Sequence, residues 1–202
     1  MTDLPPYTVL ENGYIHGTWF CGRPMKKYYG SFPQSFWPRA KRVLKPYGTM
    51  LHWFSGMERP EADTITVDGN ETTRPSVVAL GTSLPFADAT FCASFADPPY
   101  SPKDSERYGL PYPSSTKVIA ELARVTKIGG KIGLLHEFIP PTKRLPVKLL
   151  GVIGVMNGPF KRIRLFAIYR KTGEQIEMKH ELLPTQKQQI RERRRALAAL
   201  GH

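Results

Sequence analysis

The 202-residue chain carries an ordinary globular share of apolar residues, 41%, and a net charge of +12, and it is long enough for one domain with a sizeable core plus arms. No run approaches the roughly 18 apolar residues of a membrane span, the N-terminal stretch lacks the basic start and apolar segment of a secretory signal, and the two cysteines, Cys21 and Cys92, have no metal-ligand spacing. The expected setting is a reducing cytoplasm with no membrane partner.

The charge is unevenly placed. It is −2 over residues 1–21, +7 over 22–46, −3 over 47–140 and +10 over 141–202. A mildly acidic middle between two basic flanks is the layout expected for a polyanion partner gripped from both sides.

Residues 1–32 hold seven aromatics (Tyr7, Tyr14, Trp19, Phe20, Tyr28, Tyr29 and Phe32) among glycines and prolines. No helical or strand period persists, so the segment reads as an ordered arm. Two roles fit it: a wall for a ligand pocket, or contact with nucleic acid through Arg23, Lys26 and Lys27 beside Tyr28 and Tyr29. His16 near Cys21 is too little for a metal site.

Residues 33–45 place Phe36, Ala40, Val43 and Leu44 on one helical face, and Pro46 and Gly48 end the segment. Met50 to Phe54 reads as a buried strand running into a turn at Ser55-Gly56. From Gly56 only eight residues reach the next short strand, which begins at Thr64 and ends at Asp68. A parallel crossover usually takes a dozen or more residues, so the intervening helix must be very short or replaced by a loop. A third short strand, Val77 to Leu80, leads to Gly81-Thr82-Ser83-Leu84-Pro85-Phe86.

The apolar run Phe91 to Ala96 stops at Asp97-Pro98-Pro99-Tyr100. Proline cannot continue a central strand because it lacks the ladder N–H. The four residues are therefore presented at a strand's carboxyl end, where open α/β sheets bind ligands. An ionised carboxylate only accepts hydrogen bonds, and the carbonyl between the two prolines accepts too. Together they can take both hydrogens of a planar exocyclic amine, while Tyr100 offers a flat face on which an extruded base could stack.

A polar loop follows at 101–113, then a helix over 115–127 with Val118, Ile119, Leu122 and Val125 on its apolar face. Gly129-Gly130 stops that helix ahead of a strand from Lys131 to His136. Residues 147–156 and 163–169 form a final strand pair. The tail has helical propensity from Gln186 to Leu200, with Arg191, Arg193, Arg194 and Arg195 clustered. There is no G-x-S-x-G elbow, no phosphate-binding G-x-x-x-x-G-K and no His pair at metal spacing, so no metal is expected.

At Asp97-Pro98-Pro99-Tyr100 the chain resembles the class I S-adenosylmethionine-dependent methyltransferases that methylate amino nitrogens through a D-P-P-Y motif, particularly their small phage-type members. Supporting strings are Leu84-Pro85-Phe86 before the tetrad, the Tyr108-Gly109-Leu110-Pro111-Tyr112-Pro113 loop, and Ala123-Arg124-Val125 with Gly129-Gly130-Lys131-Ile132-Gly133 after it. The resemblance spans about residues 33–170. Phe54-Ser55-Gly56 is similar to the family's F-x-G-x-G cofactor loop, but Met57 and Glu58 stand where a small residue and the second glycine belong.

The resemblance implies a doubly wound, Rossmann-like α/β sheet of strand order 3-2-1-4-5-7-6, mostly parallel with a final antiparallel hairpin. The helices after its first two strands are shortened here. The arm would cover residues 1–32, the methyltransferase domain 33–172 and the basic tail 173–202. It implies S-adenosyl-L-methionine as cofactor, held by His52, Phe54, Ser55, Gly56, Asp68, Thr82, Ser83, Leu84 and Asp97. Asp97 and the Pro98 carbonyl would bind the target amine, Pro99 would shape the turn and Tyr100 would stack on the base. The implied reaction is methylation of a nucleic-acid base, foremost adenine N6 in DNA. RNA or protein-amide methylation, or a non-catalytic nucleic-acid-binding module, are the alternatives. Arg23, Lys26, Lys27, Lys103, Tyr108, Arg193, Arg194 and Arg195 are the expected nucleic-acid contacts, and with no separate target-recognition domain site selectivity is expected either to be loose or to come from a homodimer or partner.

Overall fold

The apolar runs of the chain become the strands of one sheet. The computed structural model describes residues 7–24, 31–33, 35–158 and 161–173. Among them lie β1 (Thr8–Val9), β2 (Ile15–Phe20), β3 (Met50–Trp53), β4 (Thr64–Asp68), β5 (Val77–Val78), β6 (Phe91–Ala96), β7 (Thr126–His136), β8 (Val147–Met156) and β9 (Arg164–Lys171). They pair in the order β1-β2-β8-β9-β7-β6-β3-β4-β5. Strands β5, β4, β3, β6 and β7 are mutually parallel, while β9 runs antiparallel to both neighbours. From β5 to β8 this is the 3-2-1-4-5-7-6 order of the class I methyltransferase fold, closed by an antiparallel hairpin.

Two helices cover opposite faces. Helix α1 (Phe36–Leu44) buries Phe36, Trp37, Ala40, Val43 and Leu44, and it ends where Lys45 turns left-handed and donates its N–H to the Lys41 carbonyl. Its face meets Met50, Ala93, Phe95, Leu135, Phe166 and Ile168. On the other face, α3 (Ser115–Val125) packs Val118, Ile119, Leu122 and Ala123 against Leu51, Trp53, Ile132, Leu134 and Ala167. The alternation is that of period-two strands buried on both sides. At about 25 cal/mol per Å² of apolar surface removed from water, these two layers are the main source of stability.

Three local expectations are revised. The arm is not free of strands: β2 pairs in parallel with β8, and β1 folds back on β2. Its approach is set by Gly151, where a Cβ would fall 1.9 Å from the Ile15 carbonyl oxygen, so only glycine admits the extra strand. Segment 101–113 is not wholly loop, because Ser101, Pro102 and the left-handed Gly109 bracket a short helix α2 (Pro102–Tyr108). Helix α3 stops at Val125, before the glycine pair, and Gly129 (φ +81°) and Gly130 lie within β7. The shortened crossovers are as expected: that from β3 to β4 contains no helix, and that from β4 to β5 contains one 3-10 turn, Glu71–Thr73. No helix among the described residues is long and apolar enough to cross a membrane.

Candidate active site

The carboxyl ends of β3, β4, β6 and β7 and the start of antiparallel β9 meet at one edge of the sheet. They surround a cavity of about 330 Å³, within the usual range for small-molecule sites. β3 contributes its exit turn, Phe54-Ser55-Gly56, and both Phe54 (φ +56°) and Gly56 (φ +52°) sit in the left-handed region. That strained turn aims the Gly56 N–H at Asp68, whose Oδ2 accepts it at 2.8 Å, while Oδ1 accepts the Asn70 N–H at 2.9 Å. Asp68 is 8% exposed and lines the cavity. A carboxylate has about four acceptor positions, so two remain for a ligand's hydroxyls.

β6 delivers Asp97, Pro98, Pro99 and Tyr100 to the same cavity. The Tyr100 hydroxyl donates to Asp97 Oδ1 at 2.6 Å. Burial pushes the Asp97 carboxyl up to about 6, against the opposing pull of the Arg164 guanidinium and the Tyr100 hydroxyl. Burial also raises the Tyr100 phenol, and the neighbouring Asp97 charge adds to the effect. Arg164, at the start of β9, lies beside both groups in hydrogen-bonding contact with the phenol, and its Nη2 donates to Asn157 Oδ1 at 2.9 Å. Behind Tyr100 stands the buried His136, with ring centroids 5.2 Å apart. His136 Nδ1 accepts the Glu137 N–H, so Nε2 carries the proton and faces Ser115 Oγ at 3.1 Å.

The cavity thus gathers Phe54, Ser55, Gly56, Asp68, the whole tetrad and Tyr108 from the expected set. Other expected cofactor contacts lie elsewhere. His52 is fully buried on the α1 face, stacked on Trp37 with centroids 4.2 Å apart. An odd step along β3 sends Leu51 and Trp53 to one face and His52 to the other. Thr82, Ser83 and Leu84 do not line the cavity, since Leu84 is drawn to α3. Its N–H donates to Glu121 Oε1 at 2.7 Å and its carbonyl accepts from Arg124 Nη2 at 3.1 Å. Arg23 and Lys103 are exposed and off the cavity wall. Lys26, Lys27, Arg193, Arg194 and Arg195 lie outside the described residues.

Sequence reasoning passed over Arg164 and Ser31. Arg164 had a readable signal, as the cation within the apolar run Ile163 to Tyr169. Ser31 had none: a lone serine in a loop says nothing until the fold brings it to the cavity. The hydroxyls of Ser31 and Ser55 both line the cavity, and both are buried without a hydrogen-bond partner among the described residues. Such groups cost free energy unless something satisfies them, so the site fits a ligand rich in donors and acceptors.

No protein-family model matches the chain, and no curated protein sequence does. Solved structures of similar fold include TrmN from Thermus thermophilus, at 16% identity and a TM-score of 0.47 over 65% of this chain and 46% of that one. An S-adenosylmethionine-dependent methyltransferase from Methanosarcina mazei matches at 14% identity and TM-score 0.44, over 68% of this chain and 98% of that one. The [4+2]-cyclase SpnF matches at 14% identity and TM-score 0.45, over 75% and 86%. The chain spans less than half the length of the TrmN chain.

Proposed function

We propose that this chain is an S-adenosylmethionine-dependent methyltransferase acting on the exocyclic amino nitrogen of a nucleic-acid base, adenine N6 in DNA. One observation carries the reading. Asp97, Pro98, Pro99 and Tyr100 open from the carboxyl end of β6 into a cavity that Gly56, after the neighbouring β3, and Asp68, at the end of β4 beyond it, also wall.

The residues present fit the cofactor. Asp68 keeps acceptor capacity for a ribose diol, the unpartnered Ser31 and Ser55 hydroxyls suit an amino-acid end, and Phe54 offers an aromatic face. When bound, S-adenosylmethionine supplies a methyl group on a positively charged sulfur. The protein's own work is orientation. Asp97 and the Pro98 carbonyl accept the two amine hydrogens, which fixes the direction of the nitrogen lone pair. Tyr100 presents its ring to the base, and its hydroxyl must yield the Asp97 Oδ1 acceptor when the amine arrives. After the nitrogen gains its methyl group it carries one proton too many. Asp97, with its carboxyl raised to about 6, is a better acceptor for that proton than an ordinary surface carboxylate. The +12 net charge supports a polyanionic substrate.

The test is transfer of labelled methyl from S-adenosylmethionine to unmethylated DNA, to RNA and to protein. Label should enter DNA as N6-methyladenine, and Asp97→Ala should lower the rate by about 100-fold or more while Asp68→Ala weakens cofactor binding by calorimetry. Label in RNA or protein would move the substrate class. No cofactor binding in the micromolar range would sink the enzyme reading altogether.

A further inference from the structure

Away from the cavity, toward the amino-terminal ends of the parallel strands, the sheet carries a row of cations. On β8, β9 and β7, Lys148 stands directly opposite Arg170, and Arg170 directly opposite Lys131. Residues directly opposite each other share a face, and the same row continues through Ala93 and Met50. Those two belong to the core under α1, so the three cations lie on the α1 face where the helix stops covering it. The helix exit adds a fourth: Lys131 Nζ donates to the Val43 carbonyl at 2.8 Å, and the exposed Lys45 follows two residues later. Lys148 and Arg170 are exposed as well, and Lys131 is half-buried.

None of the four forms an ion pair among the described residues. Burial lowers the Lys131 ammonium, and among the described residues the like charges of Lys45 and Arg170 lower it further. Like charges directly opposite on neighbouring strands are destabilising. The fold nevertheless brings together cations from three distant parts of the chain: Lys45 from the first basic flank, Lys131 from the acidic middle, and Lys148 and Arg170 from the second flank.

We propose that Lys45, Lys131, Lys148 and Arg170 form a phosphate-binding row for the backbone of nucleic acid, on a surface separate from the cavity. Strand spacing sets the backbones of Lys148, Arg170 and Lys131 about 5 Å apart along a line. A linear polyanion with closely spaced phosphates answers such a row, whereas dispersed lipid headgroups have no use for fixed linear spacing. The row does not depend on the methyl-transfer reading.

The test is binding of a short fluorescent DNA duplex across a salt series. It compares the parent chain with the triple variant Lys45→Gln/Lys148→Gln/Arg170→Gln. Lys131 is kept because it also holds the α1 carboxyl end. The triple variant should bind about tenfold or more weaker at low salt, and its slope of log affinity against log salt should be shallower by about 2–3. Its melting temperature should be at or above the parent's, because repulsion has been removed. The series contains no S-adenosylmethionine and reads no methyl transfer, so failure of the methyltransferase reading leaves this result untouched. An unchanged slope, a variant that no longer folds, or binding to phosphatidylserine vesicles with none to duplex would each overturn the proposal.

Discussion

Asp97 is held between opposed influences. Burial raises its carboxyl to about 6, and the Arg164 charge and the Tyr100 hydroxyl restrain the rise. If the ionised form receives the amine, kcat/KM should climb with pH through about 6 and level off above it, since that profile reports the free enzyme's essential base. Arg164→Met removes a positive charge that favours the carboxylate, so the rising limb should move to higher pH. Tyr100→Phe takes away a donor to the same oxygen and should move it in the same direction. A limb that stays in place in Arg164→Met would show that another group titrates. Arg164 acts here as a positioning residue, and its removal should shift the profile more than it changes cofactor affinity.

Helix α1 meets the sheet through an aromatic layer, with Phe32, Trp37 and Phe95 around His52. Both imidazole nitrogens are buried without a partner among the described residues, and burial alone drives the ring down to about 3. A histidine depressed in the folded state binds its proton sooner when unfolded, near 6.5. The stability this represents is present above about 6.5 and is lost as pH falls from there toward about 3. His52→Phe removes the unsatisfied polar group and the titration together. It should stabilise the protein by about 1–2 kcal/mol at pH 7 and flatten the loss of melting temperature below pH 6.5, measured by thermal unfolding across pH. Cofactor affinity should be unchanged, because His52 does not line the cavity.

At the scale of the molecule, the surplus of cations works against the compact state. Screening between exposed charges strengthens as the Debye length falls from about 30 Å at 0.01 M salt to about 8 Å at 0.15 M. The melting temperature should therefore rise between those two conditions, and the rise should shrink in the Lys45/Lys148/Arg170 variant. If melting is insensitive to salt, the repulsion inferred from the strand register is not felt. The cavity and the basic row lie toward opposite edges of the sheet, so each can be altered without touching the other.

What the sequence determined by itself was local. Apolar runs of strand length, the proline stop after Ala96 and the acid closing β4 depend on neighbours in the chain, and they marked the strands and most of one cavity wall, while the seven-strand order came from the resemblance to the D-P-P-Y methyltransferases. The Ala123-Arg124-Val125 string was visible too, but its meaning was not. Only the fold shows Arg124 binding the Phe86 carbonyl at 2.8 Å and the Asp88 carboxylate at 2.8 Å, which fastens the Leu84-Pro85-Phe86 segment to α3 and away from the cavity. The tertiary structure alone decided which side of β3 receives His52, that Gly151 admits β2 to the sheet, and that Arg164 reaches Asp97. It also decided that Lys131, Lys148 and Arg170 stand in one row. Each of these turns on strand register, and register between residues far apart in the chain is set by packing of the whole sheet.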